Sequence, residues 1–341
     1  MAHMQESSIR LDALDRRVIA ALQVNGRASW KQVASAIDAP ESTVTRRGTR
    51  LLATRSVFVT GVLDHLRTGL GISVYMRFRA RPGRALSVAQ ALAAHSAPRF
   101  VTVMLGAFDV AAEVVVKTPT DVLTVLSDLE NIDDVVESES TVVLRKFAAF
   151  EEWNPQTLSP EGVTLLQGVS AAPSYPHREW VEPETLTSQE LQIARVLARD
   201  GRASYAAVAA AVGISESTAA RRVESLTTRG CLRFRTLFAP RLIGLGIEFM
   251  LWLDVAPDRV DEVGEKLATL PSTQYVSAAT GRHNLILQGV LPSHGDLYPY
   301  QTQVIGALDG VRSADMTLQI QTLKRAWVPI GTDGRPEPQE D

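Results

Sequence analysis

Two short stretches carry side chains suited to meeting phosphates and base edges. Ser42-Thr43-x-Thr45-Arg46-Arg47 sets hydroxyls one helical turn ahead of an arginine pair, with Arg50 beyond, and Ser217-Thr218-x-x-Arg221-Arg222 repeats the arrangement. On a helix, residues three and four apart share a face. Hydroxyls and guanidinium forks on a first turn can read the major groove, and the helix N-terminus itself attracts phosphate. Arg27 and Arg202, upstream of these stretches, enlarge the expected cationic face. Two further stretches are glycine turns, Gly106-Ala107-Phe108-Asp109 and Gly281-Arg282-His283-Asn284. The glycine permits a tight turn and close approach of a ligand to backbone. An Asp109 carboxylate can pair with an ammonium group, whereas neutral Asn284 can only hydrogen-bond and Arg282 favours an anion.

Both pairs of stretches belong to one long repeat. Gly26-Arg27-Ala28-Ser29 returns as Gly201-Arg202-Ala203-Ser204, and the shift of 175 residues persists without a gap through Gly69-Leu70-Gly71 and Gly244-Leu245-Gly246 to Gly106 and Gly281. Two such long units imply two homologous multidomain halves rather than a solenoid. Charge follows the same division. The net charge is −3, yet residues 9–58 carry +5 and residues 186–235 carry +4, leaving −12 elsewhere. Two basic modules on an acidic body fit a nucleic-acid partner. One cysteine, Cys231, excludes an internal disulfide framework and a cysteine zinc cluster, and it reads as a small buried hydrophobe. No metal or cofactor is expected. No apolar run reaches the ~18 residues of a membrane span, and Met1-Ala2-His3-Met4 reads as a cloning scar, so a cytoplasmic location is expected.

The hydrophobic periodicity predicts the elements that carry these residues. Helical spacing over 11–23, a second helix capped by Ser29 and a third over 41–53 predict a helix-turn-helix, repeated with Ser215 as the last cap. Pro40 stands where Ser215 does, and Gly48 interrupts the first recognition helix where Val223 sits in the second, at ~1 kcal/mol of helix propensity. The two heads are thus expected to prefer different half-sites. Each head precedes a β-α-β-β-α-β order, expected over 72–145 and again over 249–323, the latter with one helix over 295–308. A sheet with helices on one face needs cover on the other, and the equivalent sheet supplies it. The expected fold is α+β: two winged/helix-turn-helix domains (9–60, 186–235) alternating with two ferredoxin-like βαββαβ sensing domains (61–152, 236–330). A proline-rich linker (153–185) with docked aromatic residues Trp153, Tyr175 and Trp180, a scar at 1–8 and a disordered tail at 331–341 complete the reading.

Both halves resemble the Lrp/AsnC family of transcription regulators. The resemblance rests on Leu11-Asp12-x-x-Asp15, Gly26-Arg27-Ala28-Ser29, Glu41-Ser42-Thr43-x-x-Arg46-Arg47 and Gly106-x-x-Asp109, and on their second copies through Gly281-x-x-Asn284. It implies double-stranded DNA as partner, self-association through the sensing domains, and an amino acid or related metabolite bound near Gly106, Phe108, Asp109, Gly281, His283 and Asn284. It implies no enzyme activity. Two alternatives are a sirohaem-decarboxylase-like enzyme of related fold, for which the scattered histidines give little support, and a metabolite-binding module without DNA binding.

Overall fold

A computed structural model describes residues 11–127, 134–168 and 182–337. The first head is α1 (Ala13–Val24), α2 (Trp30–Ala36) and α3 (Glu41–Ala53), followed by β1 (Phe58–Leu63). The second is α7 (Ser188–Arg199), α8 (Tyr205–Val212) and α9 (Glu216–Thr228), followed by β6 (Leu232–Leu237). Local chemistry starts these helices. Asp12 and Asp15 form a capping box on α1, Ser29 and Gln32 one on α2, and Thr187 and Glu190 one on α7. Ser215 accepts the Thr218 amide at the start of α9, while Pro40 offers α3 no side-chain cap.

The strand after each third helix pairs with the other head. β1 and β6 run antiparallel with Thr60 opposite Arg235, two residues related by the repeat, so a pseudo-twofold axis passes through this ladder. A reciprocal exchange beside it holds the heads together. The Arg27 guanidinium donates to the carbonyls of Gly201 and Ala203, and that of Arg202 to Gly26 and Ala28. Arg27 also lies over the Tyr205 ring, and Arg202 lies 4.6 Å from the Trp30 ring centre.

The sensing modules supply β2 (Ile72–Ala80), α4 (Ala85–Ala94), β3 (Pro98–Leu105), β4 (Val110–Val116), α5 (Asp121–Ser127) and β5 (Val135–Ala148). The second set is β7 (Ile247–Val255), α10 (Val260–Ala268), β8 (Thr273–Ala279), β9 (Leu285–Leu291), α11 (Leu297–Pro299) and β10 (Val311–Arg325). The helix expected over 295–308 is broken into a 3-10 turn, α11 and a π-helical turn at Tyr300–Ile305. Pro299, inside that stretch, has no amide to donate to a regular ladder.

The two expected sheets join edge to edge. Long strand β5 pairs with both β2 and β8, and β10 with both β7 and β3, closing a ring in the order β10-β3-β4-β2-β5-β8-β9-β7. Both crossing strands bulge at matching places, Val143/Arg145 and Lys146/Ala148 in β5, and Gln319/Gln321 and Thr322/Lys324 in β10, where the ring turns its corners. Register also reveals a slip in the repeat. Val143 faces Ala279 and Gln319 faces Met104, so the shift of 175 becomes 176 in the last strand. Outside the ring, helices cover Val74, Met76 and Phe78 in one half and Phe249, Leu251 and Leu253 in the other. Inside it, Tyr75, Phe100, Met104, Trp252, Tyr275 and Ile286 meet, so the cover each sheet needs comes from the same chain.

The described residues of the connecting segment pack on both halves. Helix α6 (Pro160–Gln167), capped by Ser159, seats Leu166 in the core of the first head. Trp153 stacks on Phe238 and donates to the Pro271 carbonyl at 2.8 Å. Tyr175 and Trp180 lie outside the described residues, as do residues 1–10. A final short strand, β11 (Val328–Pro329), pairs with β10 within the stretch that precedes the expected tail.

Candidate nucleic-acid interface and glycine turns

In each head the third helix buries its apolar side and turns a polar side outward. Val44 and Leu51 of α3 are buried, and Ser42, Arg46 and Arg50 are exposed, with Thr43, Thr45 and Arg47 half-buried. In α9, Ala219, Val223 and Leu226 are buried while Ser217 and Arg221 are exposed, and Thr218 and Arg222 are half-buried. Arg46 and Arg221, equivalent in the repeat, therefore present free faces on equivalent helices about the β1–β6 axis.

Several arginines grouped by sequence have other work. Arg27 and Arg202, expected on the cationic face, are committed to the carbonyls across the seam; burial and the nearby Arg27 charge lower the pKa of Arg202. Arg47 pairs with Asp12 at 2.6 Å and Asp15 at 3.1 Å, and Arg50 reaches Asp15 at 2.8 Å. These pairs tie α3 to the start of α1. Hydrogen bonds from the backbone at Asp15 and from Arg47 hold the Asp12 carboxyl below its usual range. The second head builds this tie differently, with Arg229 spanning Glu184 and Glu190.

Gly48 has a packing reason. A Cβ there would lie 2.3 Å from the Trp30 ring, so the glycine makes room for an indole. The second head holds Tyr205 and Val223 at these positions in one core cluster. The cysteine is buried as expected, and burial pushes the Cys231 thiol up to about 11.

The two glycine turns come together on one cation. Arg77, 2% exposed, lies 4.5 Å from the ring centre of Phe108 and 4.2 Å from that of Trp252, its own counterpart in the repeat. Its guanidinium bonds Glu139 and reaches Asp315 at 3.1 Å and His283 Nδ1 at 3.2 Å. Glu139 and Asp315 are equivalent under the slipped shift, so one arginine serves two symmetry-related carboxylates. Burial and the Arg77 charge hold the His283 imidazole below its usual pKa. Gly106 closes on Thr317 and Gly281, at φ +92°, on Thr141.

Asp109 and Asn284 have backbone duties. Asp109 accepts the Ala80 amide at 2.9 Å, and Asn284 both accepts from and donates to Val255, at 2.9 and 2.8 Å. Asp109, read from sequence as a partner for an ammonium group, thus spends one carboxylate oxygen on the end of the neighbouring strand β2. Arg77, Trp252, Glu139 and Asp315 were missed by sequence reasoning. Comparing position 77 with 252 across the repeat would have flagged the first two, whereas Glu139 and Asp315 correspond only under the slipped register.

Two heads with outward recognition helices on a closed double sensing module define a helix-turn-helix regulator, and comparison with known proteins agrees. Residues 11–52 and 186–227 each match the AsnC-type helix-turn-helix domain, and residues 248–328 match the Lrp/AsnC ligand binding domain. An uncharacterised HTH-type transcriptional regulator of Pyrococcus furiosus is 32% identical over 146 residues, 42% of this chain and 99% of that protein. The HTH-type transcriptional regulator LrpA of Pyrococcus horikoshii is 27% identical, over 39% of this chain and 94% of its own length. The chain belongs to the Lrp/AsnC family and is a DNA-binding transcription regulator. A crystal structure of the siroheme decarboxylase NirDL matches 91% of this chain and 92% of that one, with a TM-score of 0.59 at 14% identity, a likeness of fold alone. Among the described residues no helix is long and apolar enough to cross a membrane.

Proposed function

We propose that this regulator binds double-stranded DNA as an internal dimer, each head reading its own half-site. What carries the reading is the exposure of Arg46 on α3 and Arg221 on α9 at equivalent places about the β1–β6 axis. Arg50, which stays exposed while it reaches Asp15, adds to the first face, and Ser42, Thr43, Thr45, Ser217 and Thr218 supply the hydroxyls. The heads differ in caps and in polar groups, which supports unequal half-sites. An amino acid or related metabolite, bound beside the turns at Gly106–Asp109 and Gly281–Asn284, serves as effector, because both turns converge on the Arg77 seam. The activity is non-enzymatic and the location cytoplasmic.

The test is fluorescence anisotropy on a duplex from the chain's own upstream region, across a salt series. Each phosphate contact contributes a slope of about −0.9 in log K against log salt, so Arg46→Ala with Arg221→Ala should lower the slope by about 2 and abolish binding at moderate salt. Unchanged affinity would refute this reading surface. Haem titration separates the enzyme of related fold: a stoichiometric Soret band would replace the regulator reading, and its absence leaves that reading standing.

A further inference from the structure

A groove of about 310 Å³ lies between the end of β5 and the loop joining α10 to β8, with Ala148, Glu152, Trp153 and Leu270 on its walls. That volume is in the range of small-molecule sites. The repeat shows what the same scaffold holds elsewhere. Ala148 faces Val276 across the β5–β8 ladder, and Lys324 faces Val101 across β10–β3; Val101 and Val276 are repeat equivalents. Lys324 therefore occupies in the second copy the position of Ala148 in the first. Its ammonium, 2.7 Å from the His95 carbonyl, meets the equivalent of Leu270, and the side chain is buried. The reason for a lysine there is local. Pro98 has no amide, whereas its counterpart Thr273 donates its own to Leu270 at 3.0 Å. Where the backbone satisfies itself the chain has alanine, and the groove beside Ala148 is not filled by a side chain from that position.

Charge has changed in the same direction. The groove holds alanine where the second copy has lysine and carries the Glu152 carboxylate, which pairs with Arg233 at 3.2 Å. We propose that this groove binds a primary alkylammonium compound, its cation sharing the Glu152 carboxylate with Arg233 and taken up by the second lone pair of the Leu270 carbonyl, and its apolar part against Trp153 and Phe147. The site is distinct from the glycine turns. Thr141, which packs on Gly281, lies seven residues back along β5, about 23 Å along the chain at the rise of a strand. It is also wired to the first head, because Gln23 of α1 donates to the carbonyls of Phe150 at 2.8 Å and Trp153 at 3.1 Å.

Calorimetric titration of the full chain with n-butylammonium and phenethylammonium, against the isosteric neutral alcohols, tests this. One saturable site, near-millimolar for so few atoms, is expected for the amines and not the alcohols. Ala148→Lys installs the second copy's own cation and should abolish binding. Glu152→Gln should weaken it about tenfold, the loss of one charge-assisted hydrogen bond. Ala148→Met fills the groove without charge and should also block it, which keeps the test valid if the lysine variant does not fold. Absence of saturable amine binding to wild type, equal binding of alcohols, or undiminished binding to both filled variants overturns the proposal. Arg46→Ala should leave amine binding intact, so the result is independent of the DNA reading.

Discussion

His65, 2% exposed, has no hydrogen-bond partner on either ring nitrogen, and burial together with the charges of Lys146 and Arg99 pushes its pKa well below the ordinary 6.5. The folded state thus binds fewer protons than the unfolded one in the window just under pH 6.5, so stability is lost as pH falls through it. A single linked histidine contributes a slope of up to about 1.4 kcal/mol per pH unit. Thermal unfolding from pH 7.5 to 5 should show this acid loss in wild type and a shallower one in His65→Leu, with His283 supplying the remainder. At pH 7.5 the variant should unfold close to wild type, since no hydrogen bond is removed. Parallel pH curves for the two proteins would mean that the folded ring is hydrated and takes up its proton near pH 6.5 as the unfolded one does. The same scale explains which site residues could be read from sequence. Arg46 and Arg221 lie where helical spacing puts them. Arg27 and Arg202 do not, because a guanidinium satisfied by carbonyls 174 to 176 residues away leaves no local trace.

Within the heads, element boundaries followed from caps and periodicity, both local properties. Gly48 was legible only as a cost to α3. Its cause, the Trp30 ring at 2.3 Å from a would-be Cβ, is a contact between helices. Gly48→Ala should therefore destabilise by ~1–3 kcal/mol through overpacking, against the ~1 kcal/mol that helix propensity would return. Chemical denaturation of the pair Trp30→Tyr with Gly48→Val, which copies Tyr205 and Val223, should recover most of that loss. A stabilised Gly48→Ala variant, or no recovery in the double variant, would show that the indole is free to move aside. The sensing modules were legible as strand and helix order for a related reason: alternation in β2 separates Val74, Met76 and Phe78 from Tyr75 and Arg77. The closure of two sheets into one ring was not, since pairing of β5 with β8 and of β10 with β3 joins distant segments. The helix expected over 295–308 failed on Pro299.

At the scale of the whole molecule, fusing two copies frees positions on the pseudo-twofold axis from the requirement to match themselves. In a dimer of identical halves Arg77 would meet Arg77, and Trp252 would meet Trp252. Here an arginine lies on a tryptophan, with Tyr75 set against Trp252 edge to face at 5.9 Å and hydrogen-bonded by Gln288 at 2.8 Å. The equivalent positions hold a carboxylate in both copies, Glu139 and Asp315, so Arg77 between them neutralises charge contributed by both halves. Removing one partner of such a buried pair typically costs ~3–5 kcal/mol, because the groups left behind have lost both water and counter-ion. The side chains of Glu139 and Asp315 remain about a third exposed, which places the expectation for Arg77→Met at the lower end, near ~3 kcal/mol. Replacing both carboxylates as well, Arg77→Met with Glu139→Gln and Asp315→Asn, should restore part of the loss, since no like charges then face each other across the seam. Guanidinium denaturation of the three proteins, followed by tryptophan fluorescence and far-UV dichroism together, measures both effects. If Arg77→Met unfolds at the wild-type midpoint, the two halves are held by the β5 and β10 crossings, the packing inside the ring and the β1–β6 seam, and the divergence at positions 77 and 252 has no energetic part in joining them.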